Sequence, residues 1–290
     1  MLRSSVVAVG LAVALAACGS PDRAQHVDGR VSGALVDAAT ATQGAGAARL
    51  VFHGTVEGMP GSTEPMKSTG FGEVDPASKR VHLVMKLGKS PILGDLGTME
   101  MVGEGLVMYM KWPLFQTLAP ELKPWLKMDL DAIGDKMGLD LSSLMQLGSQ
   151  NPLQSLDYLW GATSVEDVGA ATLHGVKTTH YKAIIDLRLA AEQLPDGAGD
   201  LSSTIDKLVE LTGQEKIPVE VWVDGQDLLR RMKMTFDWSN ADPSLHMPGT
   251  MVQVTDYVKY GIEADIELPP PGRVSDLMEL IEQSGSGTSS

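Results

Sequence analysis

The chain has 290 residues and a formal charge of −14, so it lacks the cationic face that neutralises phosphates, and nucleic acid is not an expected partner. An acidic body is not drawn to an anionic bilayer either, so membrane attachment has to come from something other than surface charge. A single cysteine excludes an internal disulfide; aromatic residues reach only 5%, while there are 16 methionines.

The chain opens Met1-Leu2-Arg3, followed by an apolar run from Val6 to Ala16. Such a run has the length of a signal-peptide core, about 7–15 residues, and falls short of the ~20 needed to span a bilayer. It ends in Leu15-Ala16-Ala17-Cys18, small and aliphatic residues ahead of the only thiol. This matches the lipobox of bacterial lipoproteins, in which the thiol is diacylated and becomes the new amino terminus. Two acyl chains anchor stably where one is marginal, at about 0.8 kcal/mol per buried CH₂. Residues 1–17 therefore read as a lipoprotein signal peptide and Cys18 as the lipid attachment. The protein is expected on the extracytoplasmic face of the cell membrane. The competing reading is an ordinary secretory signal or a buried free thiol. Lipidation accounts both for the position of the one cysteine and for its lack of a partner. Residues 18–30 are polar and read as a lipidated tether, reaching at most about 40 Å from Gly19 to Arg30.

A domain is expected over 31–283. Val31, Leu35, Ala38, Ala39 and Thr42 fall at helical spacing and predict a first helix ending near Thr42. Arg49 to Glu57 alternates, with Leu50, Phe52 and Val56 on one face. Lys67 to Val74 is a glycine-rich strand between two turns. Val81, Leu83, Met85 and Leu87 share a face; so do Met99 and Met101, and then Leu106, Met108 and Met110 after Gly103-Glu104-Gly105. Trp125 to Leu130 is a further strand. Asp129-Leu130-Asp131 lacks the spacing of a calcium loop and reads as a helix cap.

The period then changes. Short amphipathic helices are expected from Asp140, with Leu141, Leu144 and Met145, and from Asn151-Pro152, with Leu153, Leu156, Leu159 and Trp160. Strands return over Thr163–Gly169 and Val176–Asp186, the second with Tyr181, Ala183 and Ile185 on one face. Helices follow over Leu187–Leu194 and from Asp200 to Gly213. Val219, Val221 and Val223 form one strand face; Met232, Met234, Phe236 and Trp238 form another. A last strand runs to Tyr260, Pro269-Pro270-Pro271 ends the pairing, Ser275 caps a final helix, and 284–290 is a disordered tail. The order predicts an α+β fold: a single curved antiparallel sheet of about ten strands with short helices segregated from it.

No catalytic constellation is legible. Gly88-Lys89-Ser90 resembles the end of a phosphate loop, but Leu83 stands where its first glycine is required. There is no Gly-x-Ser-x-Gly elbow and no His-Glu-x-x-His. His174 and His180 read as surface or strand residues, and Glu166, Asp167 and Asp224 as strand-edge or turn carboxylates. The expectation is a protein that is not an enzyme and uses no cofactor or metal.

A series of segments resembles a known family. It comprises the Cys18 lipobox, Tyr109-Met110-Lys111 with Trp125-Leu126-Lys127-Met128-Asp129-Leu130, and Val165-Glu166-Asp167-Val168-Gly169 leading into His174-Gly175-Val176-Lys177-Thr178-Thr179-His180-Tyr181. Ile217-Pro218-Val219-Glu220-Val221-Trp222-Val223-Asp224, Asp256-Tyr257 and Gly261-Ile262-Glu263-Ala264 complete it. In order and spacing it is similar to the LppX/LprAFG lipoproteins of actinobacteria, from about Ala34 to Leu280. That resemblance implies a half-barrel like the LolA/LolB carriers, with helices over its concave face and an apolar cavity between. It also implies a long-chain lipid or glycolipid ligand moved through the cell envelope, with an envelope transporter as a partner. No catalytic residues come with it. The methionine-rich first half departs from the family pattern.

Strand alternation alone supplies the candidate cavity lining: Leu83, Met85, Met99, Met101, Met108, Met110, Tyr181, Ile185, Met232, Met234 and Phe236. Methionine is flexible and polarizable, which suits an adaptable slot for acyl chains. The alternative is that these residues are simply core. The protein would then be a sensor or adaptor that binds a protein partner through an exposed apolar patch.

Overall fold

The computed structural model describes residues 29–58, 64–90, 94–137, 159, 162–192, 201–242 and 249–280. The signal peptide, Cys18, the tether to residue 28, the helix expected from Asp140 and the tail lie outside the described residues. So does the helix expected from Asn151-Pro152 apart from Leu159, which is buried.

The first helix, α1 (Gly29–Gly44), begins inside the stretch read as tether. Its Leu35, Ala38 and Ala39, at i, i+3 and i+4, are all buried, as is Thr42 one turn on. Small side chains on that stripe bring the helix close to the sheet. Then come β1 (Ala48–Glu57), β2 (Met66–Asp75) and β3 (Arg80–Lys86), and the two-residue strands β4 (Lys89–Ser90) and β5 (Gly94–Asp95). The first half closes with β6 (Thr98–Glu104), β7 (Val107–Lys111), α2 (Pro113–Leu118), β8 (Trp125–Asp129) and α3 (Leu130–Met137). The second half contains β9 (Ala162–Leu173), β10 (Val176–Asp186), α4 (Leu187–Glu192), α5 (Leu201–Thr212), β11 (Lys216–Asp224), β12 (Leu229–Asp237), β13 (Thr250–Tyr260) and β14 (Val274–Asp276).

Twelve of these strands form one sheet in the order β14-β8-β7-β6-β3-β2-β1-β13-β12-β11-β10-β9, while β4 and β5 form a separate ladder. The sheet is curved and unclosed. It consists of two up-and-down runs joined where β1 pairs with β13. The core packs on one face, where Leu35, Ala38 and Ala39 of α1, Leu187 and Ala190 of α4 and Ile205 of α5 meet Leu50, Ile185, Val219 and Val221 of the sheet.

Three local signals hold as read. Asp129 Oδ1 accepts from Ala132 N at 3.2 Å at the start of α3. Gly213, at φ +69°, ends α5 by donating to the Val209 carbonyl at 2.8 Å. Asp224 Oδ1 accepts from Gln226 N and Leu228 N in the turn before β12. The glycines of β2 are explained by their neighbours. A Cβ on Gly70 would fall 2.3 Å from Phe52 Cζ, and one on Gly72 would fall 2.5 Å from Leu83 Cδ2. Large side chains on β1 and β3 lie across the glycine strand, which is where a curved sheet has least room.

The strand count corrects the expected ten, and one strand corrects the pattern. After the proline run the chain pairs again as β14, parallel to β8, with Val274 opposite Trp125 and Asp276 opposite Lys127. Ser275 is not a helix cap. Its Oγ accepts from Lys123 N at 3.0 Å, and the expected last helix does follow, over the described residues 277–280, with Asp276 Oδ1 at its start accepting from Met278 N at 2.9 Å. The Lys127–Asp276 ion pair, 3.0 Å, fixes the parallel register.

Candidate functional site

Antiparallel register places directly opposed residues on the same face of a sheet. One row runs Met99, Met85, Gly70, Phe52, Thr255, Met232, Val221, Tyr181, crossing from β6 to β10. A second runs Leu126, Met110, Met101, Leu83, Gly72, Leu50, Tyr257. A third contains Ser68, Gly54, Gln253, Met234, Val219 and Ala183, with Phe236 opposite Met251 beside it. A fourth contains Met128, Met108, Gly103, Val81, Val74 and Ala48. None of these rows carries a charged side chain. Ile185, opposite Ile217, extends the same face.

The residues expected to line a cavity thus lie on one continuous face, the face that also bears the helices. They do not share one environment. Ile185 and Met232 are buried in the core with α1, and Tyr181, Met234, Phe236 and Leu83 pack against it. Met108 is fully buried, whereas Met85, Met99, Met101 and Met110 are half-buried. The alternation missed several residues in the same rows. Leu126 and Met128 lie within a strand that the sequence did reveal, and their own alternation in Trp125–Leu130 was the available signal. Tyr257 is fully buried, and burial pushes its phenol well above the usual range. Burial does the same to Tyr260, with Tyr257 beside it adding to the shift. The Tyr260 hydroxyl donates to the Leu229 carbonyl, and Thr42 Oγ1 accepts from Leu229 N at 2.9 Å. The Thr42 bond fastens α1 to β12, while Tyr260 joins β13 to β12 and also hydrogen-bonds Thr42.

The opposite face is built from charge. Glu100 lies 3.0 Å from Lys111 and 3.1 Å from His82. Glu220 lies 2.8 Å from Lys233 and 2.9 Å from His180, whose ring stacks on Trp222 at 4.1 Å. Asp256 takes Arg231 Nη2 at 2.7 Å and His174 at 3.0 Å. In all three, burial pushes the carboxyl pKa upward, but hydrogen bonds and charge from the partners outweigh it and hold the group below its ordinary value. His174 and His180 are therefore hydrogen-bond partners of carboxylates, in a hairpin turn and a strand. Among the described residues no group of three His, Cys, Asp or Glu could hold a metal, and no helix is long and apolar enough to cross a membrane.

That face also has a second apolar cluster of Val102, Trp125 and Ile266. The segment after β13 covers it, tied down by Arg80 Nη1 donating to the Ile266 carbonyl at 3.1 Å. A cavity of about 480 Å³ lies beside it, lined by Tyr109, Lys123, Lys127, Ser275, Glu279 and neighbouring residues, and includes none of the predicted lining.

Fold and site together define an α+β architecture built on an open curved sheet, with one uncharged face and one bearing ion pairs. No family model matches the chain. It is 26% identical over 254 residues to an uncharacterised 31.2 kDa protein of the rplA-rplJ intergenic region of Streptomyces griseus, 83% of this chain and 78% of that protein. It is 24% identical over 165 residues to a Streptomyces coelicolor protein named "Putative lipoprotein SCO4650", 56% of this chain and 45% of that one. Among solved structures, the Mycobacterium tuberculosis lipoprotein LppX is similar over 83% of this chain and 100% of its own, at 13% identity and a TM-score of 0.47. The resemblance read from the sequence and the structural likeness name the same lipoproteins.

Proposed function

We propose that this chain is a non-catalytic lipoprotein of the cell envelope, anchored through diacylated Cys18, that binds a long-chain lipid or glycolipid on the helix-bearing face and passes it on to an envelope transporter. One observation carries the reading. The rows from β8 to β10 form a continuous uncharged surface, and in its β3–β6–β7 half Leu83, Met85, Met99, Met101 and Met110 are only half-buried, while the opposite face of the same strands carries ion pairs. A face that served only as core would be buried throughout. Acyl chains need an apolar surface that adapts, and exchange needs only that the covering elements part, without bond chemistry. The lipobox at Cys18 supports the anchor, as does the name of the Streptomyces coelicolor relative.

A second reading is favoured by Phe71. This ring is 58% exposed on the charged face, between Val51 and Val84 in the register. It suits a protein partner and an adaptor with a filled core. Native mass spectrometry with solvent extraction, on protein made in an actinobacterial host, separates the two. A non-covalent mass matching a multi-acyl lipid is expected. A clean apo mass, under conditions that keep a known lipid carrier loaded, supports the adaptor instead.

A further inference from the structure

Methionine is unevenly spread over the apolar face. Near α1 the paired positions are mostly aliphatic and buried, Leu50, Ile185, Val219 and Val221, with Met232 and Met234 among them. On β3, β6 and β7 they are Met85, Met99, Met101 and Met110, half-buried. An acyl chain hardly distinguishes leucine from methionine. What the thioether alone adds is a soft lone-pair donor. Met85 lies directly opposite Met99, and Met101 opposite Met110, with Met99 and Met101 on the same face of β6. Opposed Cβ atoms are about 4.5–5.5 Å apart and diagonal ones about 7–8 Å, within reach of long side chains. Three rotatable bonds each let the sulfurs of Met85 on β3 and Met110 on β7 reach toward those of Met99 and Met101 on β6, the strand between them. The charged residues interleaved with them belong to the other face, where Glu100 is held by Lys111 and His82. A neutral, all-thioether donor set does not suit the hard cations magnesium and calcium and favours a soft ion. The formal charge of −14 attracts cations to the molecule as a whole.

We infer that Met85, Met99, Met101 and Met110 form a binding site for copper(I), for which silver(I) is the redox-inert probe. The site goes beyond the lipid reading, although it lies on the same face. The test uses the full chain carrying Cys18→Ser, so that thioethers are its only sulfur, titrated with silver nitrate in chloride-free buffer. Calorimetry should show one silver ion per chain, and X-ray absorption should show a sulfur-only first shell. Changing all four methionines to leucine keeps volume and should keep the fold, while weakening silver binding by about 100-fold. Met278→Leu should leave it unchanged. If the fourfold variant does not fold, Met101→Leu with Met110→Leu replaces it and should cost at least about tenfold. Unchanged affinity in the leucine variants, or a shell of nitrogen and oxygen, overturns the site. Lipid occupancy is read on the unsubstituted chain in parallel. An empty chain that takes one silver ion refutes the lipid reading alone; a lipid-filled chain that takes none refutes the metal site alone.

Discussion

Two tryptophan substitutions separate slot from core on the same face. Met108 is 1% exposed, and its Sδ lies only 2.7 Å from where a Cβ on Gly103 would be. No space is left for an indole, so Met108→Trp overpacks the sheet and should cost about 1–3 kcal/mol. In a domain of this size each kcal/mol lowers Tm by about 2–4 °C, so a fall of about 2–12 °C is expected. Met101 stands one row away, between Leu83 and Met110, and is half-buried. An indole there can project off the sheet into the proposed slot, with a stability change within about 1 kcal/mol. Scanning calorimetry and native mass spectrometry read the two effects side by side. Met101→Trp should melt near the parent and carry no lipid; Met108→Trp should melt lower. If Met101→Trp is as stable as the parent and equally loaded with lipid, the methionine half does not line the slot. If both variants lose the same stability, that half is ordinary core.

Gly103 and Met108 should couple. Gly103→Ala collides with Met108 and Val81, Met108→Ala leaves a cavity costing about 2–5 kcal/mol, and the double variant should recover about 1 kcal/mol of the summed loss in urea unfolding. Strict additivity would refute the β6–β7 register. Asp256→Asn should destabilise the protein by about 2–3 kcal/mol at neutral pH, because it weakens charge-assisted bonds from Arg231 and His174 at a buried site. The folded pKa of Asp256 is depressed, so its contribution is fully present above the unfolded value of about 4 and is lost as pH falls further. The variant should therefore lose less stability than the parent between pH 5 and pH 2 (approximate limits) in acid denaturation. Tyr260→Phe removes the donor to the buried Leu229 carbonyl and should cost about 1–3 kcal/mol. Hydrogen exchange should quicken in α1 before the rest of the sheet, and uniform quickening would show that α1 is not fastened there.

Period-two alternation was enough to place the candidate residues on one face because opposed strands preserve faces across the whole sheet. Met85, Met101 and Met232 could be assigned to one surface without knowing which strands were neighbours. The same logic could not show that Met232 is buried under α1 while Met101 is half-buried, since alternation reports a face and not what covers it. β14 was missed for a different reason. Three residues after a proline run have no period, and their pairing depends on contacts more than a hundred residues away, Lys123 with Ser275 and Lys127 with Asp276. The ion-paired face was equally hidden. Glu100, Lys111 and His82 are ordinary polar residues in sequence, and only the register of three strands brings them within 3.1 Å.

The two halves of the apolar face are held differently, and that bears on where a ligand could enter. Thr42 on α1, Leu229 on β12 and Tyr260 on β13 are joined by hydrogen bonds that are buried or nearly so. Opening the sheet–helix contact there would leave the Leu229 amide without its Thr42 acceptor, at a cost of about 1–3 kcal/mol. Across β3, β6 and β7 this face is made of methionines with Val81, Leu83 and Gly103, whose side chains offer no hydrogen-bond donor. Dispersion between flexible thioethers can be exchanged for dispersion with an acyl chain at little net cost. The aliphatic half is thus the fixed end of the fold, and on the proposed lipid reading the methionine half is where an acyl chain would enter while the hydrogen bond holding α1 stays made.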